Sequence, residues 1–144
     1  MTMVAPGAKQ WLAAHPPPDA VFGQSLAHVS ARVRDGEDFR FATREFLDEF
    51  ELLPRIDLMQ RAIAERPELT GTGPLDAYLA GLAEHLAATR GLERPAWAVM
   101  PERFLDRFWF LSDVPGFRAL AIAQSPAAFR RRGIFIARGA LQRV

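Results

Sequence analysis

Residues 38–53 read DFRFATREFLDEFELL, and their reading decides the fold. Phe39, Ala42, Phe46, Leu47, Phe50 and Leu53 recur at the spacing of one apolar face of an α-helix, and Asp38 stands where an N-cap belongs. This is the strongest periodic signal in the chain. The other face carries Glu45, Asp48, Glu49 and Glu51, interrupted by Arg40 and Arg44. Adjacent Asp48 and Glu49 project about 100° apart on a helix, which suits neither a cation site nor an acid/base pair. They read as a solvated acidic face, with docking of a basic partner as the second reading.

Working outward toward the N-terminus, Asp19 offers an N-cap and Phe22, Leu26, Val29 and Val33 follow on one helical face, ended by Gly36. His28 sits between Leu26 and Val29 and reads as a boundary or core residue rather than a ligand. Before that helix, Pro16, Pro17 and Pro18 stiffen the chain, so residues 1–18 are expected to form an N-terminal arm, with Trp11 as its anchor.

Toward the C-terminus, Pro54 permits a new helix with Ile56, Met59 and Ile63 as its apolar face, stopped at Pro67. The run Glu68 to Pro74 is a loop; Gly71 and Gly73 lack the lysine and spacing of a phosphate loop, and serve better as the lead into a helix with Thr72 or Gly73 at its N-cap. That helix, Pro74 to Arg90 with Gly91 as C-cap, carries Leu75, Tyr78, Leu79, Leu82 and Leu86. Small Ala80, Gly81, Ala83 and Ala87 allow close approach of neighbours, so it is expected to be central. Asp76, Glu84 and His85 are expected on other parts of its surface, and Glu84-His85 lacks the spacing of a zinc-binding helix.

Pro95, Pro101 and Pro115 break the next stretch into short helices and turns. Phe104, Leu105, Phe108, Phe117, Leu120 and Phe129 are expected to pack in the core, with Ser112 or Asp113 and then Ser125 as helix caps. Ile134-Phe135-Ile136, bounded by Gly133 and Gly139, reads as an edge strand or an extended tail. The fold expected is all-α: an N-terminal arm over 1–18 and, over 19–144, a compact single-domain bundle of about five or six helices with a short extended C-terminal segment.

Composition limits function more than it reveals it. The chain has 144 residues, enough for one domain with a sizeable core, and 49% hydrophobic content in the ordinary globular range. It has no cysteine, which removes disulfides, thiolate nucleophiles and cysteine metal sites and agrees with a reducing cytoplasm. No apolar run reaches the roughly 18 residues of a membrane span, and the N-terminus carries no targeting pattern. A cytoplasmic protein without membrane attachment is expected. The three histidines (His15, His28 and His85) are scattered and no catalytic motif accompanies them, so neither an enzyme nor a cofactor is expected.

Charge is divided along the chain. From residue 114 onward there are six arginines (Arg118, Arg130, Arg131, Arg132, Arg138 and Arg143) and no acid, while the rest holds 12 basic and 17 acidic residues. One basic residue of 18 is lysine, so GC-rich coding accounts for arginine as readily as selection for its chemistry does. Helix-dipole complementarity at the end of a helix explains one or two of Arg130, Arg131 and Arg132, but not three in a row.

From about Asp76 onward, FLDRFWF, GFRALA, SPAAFRRRGIFI and the terminal LQRV resemble the C-terminal region of actinobacterial antitoxin-like, transcriptional-regulator-associated proteins. In some of those relatives a helix-turn-helix precedes this region and a nucleotidyltransferase-like toxin is encoded nearby. The resemblance implies a non-enzymatic interaction module, an antitoxin or accessory regulator, whose protein partner is such a toxin. No catalytic residue is attached to these motifs. The segment before Asp76 departs from the pattern: the loop at Glu68 to Pro74 is long for a helix-turn-helix, and the helix after it carries Asp76 and Glu84, unfavourable beside a phosphate backbone. The expected partner-binding residues are Arg130, Arg131, Arg132, Phe135 and Arg138. Nonspecific nucleic-acid binding through the same basic patch is the alternative.

Overall fold

The first two described helices begin where a side chain satisfies an amide of the first turn. The computed structural model describes residues 24–141, and there Ser25 caps helix α1, Leu26–Arg34. The Ser25 hydroxyl accepts from the His28 amide, and the Ser25 amide donates to His28 Nδ1, closing a capping box with histidine in the glutamate position. His28 is thus a capping residue. The expected arm, Trp11, and the cap at Asp19 lie outside the described residues; within them, α1 starts at Leu26.

Asp38 caps α2, Phe39–Glu51, through the Phe41 amide, and Ala42, Phe46, Leu47 and Phe50 are buried on its inner face as the periodicity requires. Its acidic face is not simply solvated. Glu45 and Glu49 accept hydrogen bonds from the Gln24 side chain, Arg32 of α1 pairs with Glu45, and Glu51 pairs with Arg90. Helix α3, Ile56–Ala64, is rotated from its expected face: Leu58, Ala62 and Ile63 are buried whereas Ile56 is exposed.

Helix α4, Gly73–Arg90, is buried without interruption from Asp76 to Ala83 and ends on Gly91 at φ 68°. A helix covered on all sides is a core helix, and α3, the turns at 96–99 and 101–103, the short helix at 127–130 and the C-terminal strand all pack on it. Thr72 occupies the N-cap without a side-chain bond; Asp76 instead turns back to accept from the Thr70 amide at 2.7 Å and hydroxyl at 2.9 Å, fixing the preceding loop.

Two 3₁₀ turns follow, Ala96–Val99 and Pro101–Arg103. Trp97 donates its indole N–H to the Ile63 carbonyl, and Arg103, 1% exposed, donates to the carbonyls of Pro67 and Asp76. Strand β1, Trp109–Phe110, then pairs in parallel with β2, Ile134–Phe135. A parallel pair requires a crossover, supplied by the turn Pro115–Phe117, helix α5 (Arg118–Gln124) and helix α6 (Ala127–Arg130). The extended C-terminal segment is therefore a buried strand rather than a tail, and a 3₁₀ turn, Arg138–Leu141, follows it.

Ser125 departs from its expected role. Pro126 is the N-cap residue of α6, and the Ser125 hydroxyl donates to the Ile134 carbonyl at 3.0 Å while accepting from the Ile136 amide at 3.4 Å. The all-α assignment holds, with six α-helices and this two-stranded ribbon among the described residues. No helix among them is long and apolar enough to cross a membrane.

Candidate functional site

The arginine triplet is divided by the tertiary structure. Arg130 and Arg131 are exposed, but Arg132 is fully buried. The last turn of α6 leads into Gly133, whose φ of 83° favours glycine and where a β-carbon would lie 3.4 Å from the Arg107 carbonyl oxygen. The turn directs Arg132 inward over α4. Its guanidinium donates to the Glu84 carboxylate and to the carbonyls of Ala98 and Ala128, and stacks 4.6 Å from the Phe104 ring centroid.

Glu84 is the shared anion of this region. Arg131 Nε lies 2.9 Å from Oε1, and Arg94 reaches Oε2 at 3.3 Å. Burial pushes the Glu84 carboxyl up, but the hydrogen bonds and charges of Arg132 and Arg131 outweigh it and hold the group below its ordinary range. Burial lowers Arg132, with Glu84 opposing that shift; a guanidinium remains charged in either environment. Arg132 Nε is buried without a hydrogen-bond partner. The network joins α4 to the end of α6, so its first role is structural.

Beside it, Phe129 of α6 lies across α4 at Gly81. A β-carbon at Gly81 would fall 2.8 Å from the Phe129 ring, so glycine there permits the close approach. Tyr78 and His85, one turn on either side of Gly81, flank the ring at centroid distances of 5.2 and 5.9 Å. Burial lowers the His85 pKa, with Arg90 acting in the same direction.

The remaining expected contact residues separate by exposure. Phe135 is 8% exposed, packed between Phe108 edge-on at 5.1 Å and Phe110 stacked at 5.2 Å. Arg138 is exposed. Sequence reasoning assigned Phe108, Phe117 and Leu120 to the core, yet Phe108 is 77% exposed, and Val114, Phe117, Leu120 and Ile122 are also open to solvent. Among the described residues, five of the ten exposed large apolar side chains thus fall within 108–122, which locates an apolar surface on β1 and the crossover. Among the described residues Arg107, Arg118, Arg130 and Arg138 form no ion pair, although Arg118 lies 5.2 Å from the Phe110 ring centroid.

No group of three or more potential metal ligands occurs among the described residues. No protein-family model, curated protein or solved structure matches the chain.

Proposed function

We propose that the protein is a non-enzymatic interaction module, an antitoxin or accessory regulator, that binds an acidic protein partner through the apolar and arginine-bearing surface of β1 and the crossover. The observation that carries this reading is the concentration of exposed Phe108, Val114, Phe117, Leu120 and Ile122 in one segment that also presents Arg107 and Arg118. Apolar anchors ringed by arginine are the usual composition of an interface centre. Arg130, Arg131 and Arg138 add positive charge from α6 and the C-terminal turn. Phe135 contributes by supporting Phe108, and Arg132 by holding α6 in place. A nucleotidyltransferase-like toxin is the partner suggested by the sequence resemblance, and an acidic surface on it would receive these arginines.

Co-purification of the tagged full chain with its native partner tests this. Phe108→Ser with Phe117→Ser should abolish capture while the helical circular dichroism stays unchanged. Undiminished capture overturns the reading.

Nucleic-acid binding is the second reading, favoured by the arginines that lack a carboxylate partner among the described residues. It predicts DNA or RNA affinity that falls steeply with added salt. Absence of binding at low salt removes it.

A further inference from the structure

A cavity of about 360 Å³ lies between α2, Tyr78 of α4, and the β1 to β2 region. Leu47, Phe110, Phe117, Leu120 and Phe135 give it apolar walls. Its charged lining is Arg40, Arg44 and Arg118, with no carboxylate among the described lining residues. Such a wall disfavours a cation and sets Arg40 and Arg118 beside an apolar volume.

Tyr78 supplies an independent observation. Its side chain is buried, 2% exposed, and it lines the cavity. Arg40 and Arg44 line the same cavity as this phenol. Arg40 is anchored by donating to the Leu111 carbonyl, and Arg118 lies over Phe110.

We propose that this cavity binds a small amphipathic monocarboxylate, with its apolar body against Leu47, Phe117 and Phe135 and its carboxylate held by Arg40, Arg118 and the Tyr78 hydroxyl. The volume equals that of about a dozen waters, which suits a medium-chain fatty acid or an aryl carboxylate. A free phosphate would leave the apolar walls unused, and a neutral lipid would leave the arginines without an anion.

Calorimetric titration of the full chain, without any partner, tests the proposal with decanoate, 1-decanol and inorganic phosphate. Decanoate should bind saturably, and at least about tenfold more tightly than either comparison ligand. Arg40→Gln combined with Arg118→Gln should weaken decanoate by about tenfold or more and leave decanol unchanged. Both arginines are exposed, so circular dichroism should show an intact fold. Tyr78→Phe retains the ring and should weaken decanoate several-fold. Equal affinity for decanoate and decanol, an unchanged double arginine variant, or no saturable decanoate binding each overturns the proposal.

Discussion

Arg132 and Glu84 form an ion pair in which the cation is wholly buried and the anion's side chain remains 16% exposed. The pair links the end of α6 to the central helix, and the same carboxylate holds Arg131, which is 44% exposed. Two adjacent arginines therefore share one acid with opposite consequences. Removing the acid strands a buried guanidinium, whereas removing Arg131 releases a partly solvated charge.

Glu84→Gln should destabilise the fold by about 2–4 kcal/mol, because Arg132 keeps its carbonyl contacts but loses its counter-charge. Arg131→Ala should change stability by about 1 kcal/mol or less. Urea unfolding of the variants beside the parent chain measures both. Equal effects would contradict the division between buried and exposed arginine.

The same pair sets a dependence on acid. Glu84 titrates below its ordinary value of 4.5 in the folded chain. Its contribution is fully present above that unfolded value and is lost as pH falls through the lower folded value. The parent chain should thus lose stability on acidification in a way that Glu84→Gln does not. Comparing the pH dependence of their urea midpoints isolates this contribution.

Gly81→Ala should destabilise by about 1–2 kcal/mol, since the clash with Phe129 outweighs the gain in helix propensity. Phe129→Leu in the same chain should relieve the overlap, so the double variant should be more stable than the sum of the two single effects predicts. Thermal or urea unfolding provides the cycle.

Tyr78 is the single tyrosine of the chain, so phenolate absorbance reports it alone. Burial pushes its pKa up to about 12, with Arg44 and Arg40 opposing the shift. The folded chain retains this proton where the unfolded chain releases it. Stability should therefore decline from about pH 10 upward, and phenolate should appear near pH 12 or together with loss of helical dichroism. Ionisation near pH 10 in a fully folded chain would contradict the burial.

The sequence by itself determined the elements whose signals are local and long. Phe39 to Phe50 repeat over more than three turns, Asp38 and Gly91 are cap residues of standard chemistry, and the small residues of α4 marked it as the helix that others approach. In shorter helices the phase was ambiguous. The nine residues of α3 admit a face through Ile56 or one through Leu58, and packing selected the latter. The seven residues of α5 likewise left Leu120 and Ile122 free to face solvent.

Only the tertiary structure decided the candidate site. Arg131 and Arg132 are chemically identical neighbours, and nothing within the triplet tells which one turns inward. That choice follows from Gly133, from carbonyls at Ala98 and Ala128, and from Glu84, 48 residues away. The pairing of Trp109–Phe110 with Ile134–Phe135 and the meeting of Arg40, Tyr78 and Arg118 at one cavity have the same character. Helical periodicity depends on neighbours along the chain. The burial of a charge depends on partners brought together across it, so the sequence determined the helices and the folded chain decided which arginines remained available for function.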